Sequence, residues 1–267
     1  MVSVRCITQG APANVAYPKI DISRNQIRVL RLHHGNRDDE LRVTLSVENL
    51  SQDSKYEALS YVWGDGFSEK ALVNGTEIPI TENLHAALRQ FRHPASARLM
   101  WVDAMCINQQ FTSERNHQVQ LMGQIFSSAQ RVLLWLGPAA DDSDYVLDYI
   151  REEHPADILL NLKFRFALHA LCSRAWFTRI WIVQEVALGK QDPILVCGQK
   201  GLRWSKFVRF LAHANHILRG EIQAPQFPYA KFKTSWRQFS SCSRPYGTKW
   251  HEYLLSHTDI ENFIHVA

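Results

Sequence analysis

Glu185 is the residue whose surroundings most favour chemistry. It lies within residues 174–188, which are typical of a helix that is apolar on nearly every side. Such a helix is expected to be buried. A buried carboxylate must be hydrogen-bonded, ion-paired or held at a cleft where its protonation is used, because burying it alone is costly. The structural alternatives are a glutamate paired with a neighbour such as Arg179, or a surface glutamate near the helix end, and position alone favours a structural role.

Other candidate site residues follow two apolar segments, where strands are expected to end. They are Trp63, Gly64, Asp65, Asp103, Asn108 and Gln109. Parallel sheets bind ligands at the carboxyl ends of their strands, so Asp65, Asp103 and Glu185 are predicted to line one cleft. The alternative for these loop residues is capping and loop closure.

Several familiar site motifs are absent from the sequence. It has no G-x-G-x-x-G, G-x-x-x-x-G-K-[ST], H-E-x-x-H or G-x-S-x-G, so four enzyme classes are unsupported: dinucleotide oxidoreductases, P-loop enzymes, zincins and α/β-hydrolases. Cys106 and His117 could form a nucleophilic pair, but a packing cysteine is favoured. His213 and His216 lack two further ligands, so no metal site is predicted.

The elements that must position these residues alternate between strands and helices. Strands are predicted at residues 27–32, 41–47, 56–63, 99–102, 131–136 and 194–197, with a hairpin at 71–78 turning at Asn74-Gly75. Helices are predicted after Thr81, from about residue 113, at 141–150, at 164–172 and around Glu185; the second should bury Val119, Met122, Phe126 and Ala129. This order predicts a parallel sheet built from the strands at 56–63, 99–102, 131–136 and 194–197, with the 27–47 and 71–78 hairpins outside it.

Composition sets the class of protein. With 267 residues, 46% of them hydrophobic, the chain suits one large domain or two small ones. The net charge of +4 comes from scattered basic residues, which weakly favours small anionic ligands and gives no support for nucleic acid. The five cysteines are far apart and are expected to be reduced thiols. No apolar run resembles a signal peptide or a membrane span, so we expect a cytoplasmic protein that does not bind membranes.

Three segments carry a resemblance to a known family. They are YEALSYVWGD at 56–65, WVDAMCINQ at 101–109 and WFTRIWIVQEV at 176–186. In this order they resemble the three signature blocks of the fungal heterokaryon incompatibility (HET) domain, and the similarity extends over roughly residues 27–204. Met105 stands where the family more often has isoleucine or leucine. The resemblance implies non-self recognition and regulated cell death when genetically different fungal cells fuse.

The HET domain is in turn similar, more distantly, to TIR signalling domains. Tyr61 followed by Asp65 resembles the end of the first TIR strand and its loop. The spacing Trp181-x-x-x-Glu185 resembles the TIR motif W-C-x-x-E, with Ile182 in place of the cysteine. Because that glutamate is catalytic in the TIR domains that hydrolyse NAD, the resemblance implies that Glu185 is catalytic. It also implies a flavodoxin-like α/β fold, with a parallel sheet flanked by helices and added β-hairpins.

Cleavage of the nicotinamide–ribose bond needs one carboxylate that stabilises an oxocarbenium-like state. The residues predicted to contact such a nucleotide are Tyr61, Trp63, Gly64, Asp65, Asp103, Asn108, Gln109 and Trp181. NAD would be a substrate, and no cofactor is predicted.

The alternative is a non-catalytic module that assembles as a homo-oligomer or with a partner signalling protein; a third possibility is an inactive, shortened family member. An open pocket beside Glu185 would favour the enzyme, whereas a carboxylate sealed under Trp181 and paired to Arg179 would favour the module. The expected organisation is an arm at 1–24, the HET domain at 25–219 and an irregular tail at 220–267.

Overall fold

A computed structural model describes residues 17–154, 161–179 and 181–221 of the chain. The chain divides into two compact units, one made of Met1–Gly137 with Gly189–Gln191 and the other of Pro138–Leu188 with Asp192–Ala267. Within the described ranges, no helix has the length and apolar character needed to cross a membrane. Most of the predicted arm and tail lie outside the described residues.

The first unit is a mixed sheet with three helices. Its strands are β1 (Gln26–Leu32), β2 (Arg42–Asn49), β3 (Glu57–Tyr61), β4 (Glu69–Val73), β5 (Thr76–Ile80), β6 (Arg98–Trp101) and β7 (Arg131–Trp135). Its helices are α1 (Glu82–Phe91), α2 (Asp103–Cys106) and α3 (Thr112–Ser128), and a 3-10 turn spans Ile22–Arg24. The strands follow the spatial order β5-β4-β2-β1-β6-β3-β7. Helix α1 packs against β4, and α2 against β1.

The predicted parallel sheet with added hairpins is confirmed in part. Strands β6, β3 and β7 are parallel, as predicted, but β1 pairs antiparallel with both β2 and β6. The second hairpin joins the same sheet, because β4 pairs parallel with β2. Strand β1 lies inside the sheet, between β2 and β6, because it is apolar: Ile27, Val29, Leu30 and Leu32 are all fully buried. A strand that is apolar on both faces needs a central position.

Local signals were the most reliable. The turn at Asn74-Gly75 is confirmed, since φ is 49° at Asn74 and 82° at Gly75. Thr81 caps α1, and its Oγ1 accepts a hydrogen bond from the Leu84 amide at 3.3 Å. The predicted apolar face of α1 is buried along its length.

Two expectations near the second block were wrong. The segment after β6 was predicted to be a loop, but Asp103–Cys106 forms a helical turn. Val119 of α3 is exposed, and the position facing the interior is Gln118. Nε2 of the buried Gln118 donates to the Gln26 carbonyl at 2.9 Å. Because Gln118 is polar, its position was not assigned to the buried face, and Val119 was assigned there instead.

The second unit is mainly helical. It contains α4 (Ser143–Arg151), α5 (Leu162–Cys172), a 3-10 helix (Ala175–Thr178), α6 (Ile182–Ala187), β8 (Ile194–Cys197), β9 (Lys200–Arg203) and α7 (Trp204–Glu221). Strand β8 is the fourth predicted strand, and it pairs antiparallel with β9, which was not predicted. Helix α4 packs against α5, β9 and α7.

The long helix expected around Glu185 is divided in two. The 3-10 helix ends at Thr178, whose Oγ1 donates to the Ala175 carbonyl at 2.8 Å. Arg179 then takes an extended conformation, with φ −76° and ψ 135°. Helix α6 has only six residues. The apolar run therefore does not form one continuous helix.

We expect Gly75→Ala to lower the free energy of unfolding by about 1–2 kcal/mol, because an L-residue at positive φ is strained. The added Cβ meets no atom within 4 Å, so the loss comes from backbone strain. The control is Gly201→Ala, where the φ is ordinary and the nearest atom lies 3.6 Å away. That change should be neutral or stabilising. Urea unfolding of both variants measures the two free energies. Equal losses of stability would contradict the assignment of backbone strain to position 75.

Candidate functional site

The first two sequence blocks meet through Trp63 and Asp103. The indole Nε1 of Trp63 donates to Oδ2 of Asp103 at 2.7 Å. Oδ1 of Asp103 accepts from the Ala104 amide at 2.7 Å, and the Asp103 carbonyl accepts from Nε2 of Gln109 at 3.3 Å. Asp103 thus fixes the ring that follows β3 against the start of α2 and the loop after it.

Asn83 joins the ends of two neighbouring strands and was missed in the sequence. Its Nδ2 donates to the Val62 carbonyl, just after β3, at 2.6 Å. Its Oδ1 accepts from Nε1 of Trp135, at the end of β7, at 2.9 Å. A buried indole N–H usually has a hydrogen-bond acceptor, and for Trp135 this acceptor is Asn83. The sequence signal that could have identified Asn83 is its position two residues after Thr81, which caps the helix.

A buried ion pair supports the second block. Arg28 of β1 is 1% exposed and binds both carboxylate oxygens of Glu114, at 2.5 and 3.0 Å. Its Nε donates to the Pro18 carbonyl at 2.8 Å and its Nη1 to the Cys106 carbonyl at 3.1 Å. Glu114 also accepts the Asn108 amide at 2.8 Å. This pair therefore ties β1 and the loop after α2 to the start of α3.

Residue 17 covers the guanidinium from the other side. The ring centroid of Tyr17 lies 4.9 Å from Cζ of Arg28, which is a cation–π contact. Burial is the main cause that raises the pKa of the Tyr17 hydroxyl above its ordinary value. Tyr17 is thus packed as part of the first unit, although it precedes the first strand.

Four of the eight predicted ligand residues line one cleft in the first unit. They are Tyr61, Trp63, Asn108 and Gln109. Gly64 and Asp65 lie beside the cleft in an exposed turn, where Gly64 has φ 78°. Asp103 lies behind the cleft, bonded to Trp63. The proposed contact of Asp65 and Asp103 with a ligand remains a prediction.

Glu185 lies in the second unit and is paired. It is 1% exposed, and its two carboxylate oxygens accept from Nη1 and Nη2 of Arg179, each at 3.1 Å. Trp181 is 41% exposed, and its predicted role in sealing Glu185 remains a prediction. The structural alternative, a glutamate paired with Arg179, is therefore the arrangement observed. Because Asp65 and Asp103 belong to the first unit, the cleft predicted to join them to Glu185 remains a prediction.

The cysteines that the structure describes do not support a nucleophile. Cys106, Cys172 and Cys197 are free and buried. Burial raises the pKa of the Cys106 thiol to about 12, so it is protonated at physiological pH and cannot attack as a thiolate. Among the described residues, no group of three or more His, Cys, Asp and Glu side chains is placed to hold a metal ion.

Comparison with known proteins finds a match in the same region as the three blocks. A family model described as Heterokaryon incompatibility protein (HET) matches residues 56–185. This segment is called the HET domain below. It is also 28% identical to Heterokaryon incompatibility protein 6, OR allele, of Neurospora crassa, over 336 aligned positions. That alignment covers 99% of this chain and 48% of the relative, so the chain spans about half of the relative's length. No solved structure is significantly similar to the chain.

Each block of the HET domain is thus held by a polar contact. Trp63 of the first block bonds to Asp103 of the second, and Glu185 bonds to Arg179 within the third. The second block is further fixed by Arg28 and Glu114, which lie outside the three blocks. Residues that stand out in the sequence of this HET domain accordingly have structural partners.

We expect Glu114→Gln to lower the free energy of unfolding by about 3–5 kcal/mol, because it leaves the buried Arg28 cation without its counter-charge. The matched control is Glu40→Gln, which breaks a pair with Arg42 whose side chains are both more than half exposed. That change should cost about 0–1 kcal/mol. Urea unfolding at neutral pH measures both, and a cost at Glu114 no larger than at Glu40 would disprove the role of the ion pair.

Cys106 and Cys172 should resist alkylation in the native HET domain. Burial raises the pKa of both thiols from 9.0 to about 12. Iodoacetamide at pH 8 should modify them only after unfolding in urea, whereas an exposed control thiol, Ser23→Cys, should react at once. A raised native pKa also means that their contribution to stability is lost as pH rises from about 9 towards 12. Peptide mass spectrometry checks the labelling, and rapid native modification of Cys106 would revive the nucleophile hypothesis.

Proposed function

We propose that this chain acts in heterokaryon incompatibility, and that its HET domain transmits a cell-death signal by assembling with other protein domains. The HET match and the similarity to an incompatibility protein of Neurospora crassa support the biological role. The state of Glu185 supports assembly over catalysis.

The buried ion pair of Glu185 carries this proposal. A carboxylate that stabilises an oxocarbenium-like state must touch the ribose of its substrate. Both oxygens of Glu185 instead accept from Arg179, and the side chain is 1% exposed. Separating a buried pair of this kind costs about 3–5 kcal/mol when one charge is left unpaired. Glu185 is better suited to hold the third block in place than to meet a substrate.

Helix α5 offers a surface for assembly. Leu162 and Phe166 are 63% and 71% exposed, and they lie one turn apart on the same side of the helix. Exposed apolar side chains that adjoin one another favour protein–protein contact, where aromatic residues contribute most. The partner is proposed to be a second copy of the chain or a signalling protein with a complementary apolar surface.

NAD hydrolysis through Glu185 is the second candidate. It is supported by the spacing Trp181-x-x-x-Glu185, which resembles the motif of the TIR domains that hydrolyse NAD. In this version Glu185 would exchange Arg179 for the substrate.

Growth arrest in fungal cells distinguishes the two candidates. Assembly predicts that Glu185→Gln still kills at a temperature where the variant remains folded, because assembly needs no catalytic carboxylate, whereas the double change Leu162→Ser with Phe166→Ser does not. The control is Phe111→Ser, which removes an exposed apolar side chain from the first unit, where Phe111 is 64% exposed. This variant should still kill. All variants are compared at equal expression and with melting temperatures measured. Loss of killing by Glu185→Gln at an unchanged melting temperature would refute assembly without catalysis.

A further inference from the structure

The cleft of the first unit is lined by aromatic, apolar and amide side chains. Tyr61, Trp63 and Phe67 provide rings, and Asn108, Gln109 and Gln110 provide three consecutive carboxamides. None of the described lining residues is Lys, Arg, His, Asp or Glu. The lining can therefore make stacking contacts and neutral hydrogen bonds, but it offers no counter-charge to an ionic group.

The charged residues near the cleft are engaged behind its wall. Asp103 accepts the indole N–H of Trp63 and the amide of Gln109. Glu114 accepts the backbone amide of Asn108 while it is paired with Arg28. These bonds fix one ring and two residues of the carboxamide loop before any ligand arrives. Preorganised polar groups around an apolar cleft are the usual composition of a small-molecule site.

Helix α1 and strand β5 complete the wall with apolar side chains. Leu84 of α1 and Ile78 and Ile80 of β5 are all buried or nearly so, and they line the cleft together with Ala104 of α2. An ionic group placed against these side chains would lose its hydration without gaining a partner, which is costly. A flat uncharged ring loses little hydration and gains stacking contacts.

We propose that this cleft binds an uncharged planar ring with amide-like donors and acceptors at its edge, the chemistry shared by nucleobases and aromatic carboxamides. The ring stacks on Trp63 and Phe67, and its edge meets the carboxamides of residues 108–110. This site goes beyond the proposed function, because assembly through α5 requires no small ligand. It gives the first unit a place to bind a small uncharged metabolite.

Isothermal titration calorimetry of the full chain with three probes tests the site. Adenosine represents the nucleobase source and benzamide the carboxamide source, while adenosine monophosphate adds charge to the first. At least one uncharged probe should bind, and the monophosphate should bind no more tightly than adenosine. Binding by none of the probes would overturn the proposal. A monophosphate that binds about tenfold more tightly than adenosine would also overturn it, since that gain of about 1.4 kcal/mol requires a cation in the site.

Two variants locate the binding. Ala104→Leu fills the cleft, and Gln109→Glu places a charge in it at nearly constant shape. Each change should lower the affinity for the uncharged probe by about tenfold or more. The matched control is Ala86→Leu, the same enlargement at a half-buried position of α1 outside the lining, and it should leave affinity unchanged. Melting temperatures confirm that the variants fold. Affinity unchanged by Gln109→Glu in a folded protein would overturn the assignment of the cleft, whatever the outcome for Ala104→Leu.

Discussion

The buried pair of Arg28 and Glu114 is the interaction on which the first unit depends. It places a guanidinium inside a strand whose other interior residues are apolar, and such a group is tolerated only with complete hydrogen bonding. Glu114, the Cys106 carbonyl and the Pro18 carbonyl supply that bonding. The same carboxylate of Glu114 accepts the amide of Asn108 in the loop after α2. Asn108 lines the cleft, so the pairing of one buried cation also positions part of the cleft wall.

The second unit also contains a buried charge that must be paired, but there the more buried group is an acid and not an arginine. There the buried group is the acid, Glu185, and the more exposed partner is Arg179. In both units an arginine and a glutamate join segments that local structure alone would leave apart. Asp103, which was predicted to contact a ligand, and Glu185, which was predicted to be catalytic, both make hydrogen bonds that hold these segments. The described residues that line the cleft of the first unit are uncharged.

Local features could be predicted from the sequence, and long-range ones could not. The turn at Asn74-Gly75 and the Thr81 cap depend on neighbours in the chain, and both are present. The central place of β1 depends on which strands pair with it, which alternation does not encode. Arg28 and Glu114 were missed because 86 positions separate them. The block residues Trp63, Asn108 and Gln109 were found because they follow apolar strand segments, but the ion pair that positions the loop of Asn108 carries no motif.

The central claim is that Glu185 is held by Arg179 as part of the framework and does not turn over substrate. Nicotinamide release from NAD by the purified chain tests it most directly, at a protein concentration high enough to allow self-assembly. The account predicts that wild type and Glu185→Gln both release nicotinamide at the rate of buffer alone. Release by the wild type that Glu185→Gln abolishes, with an unchanged melting temperature, would contradict it.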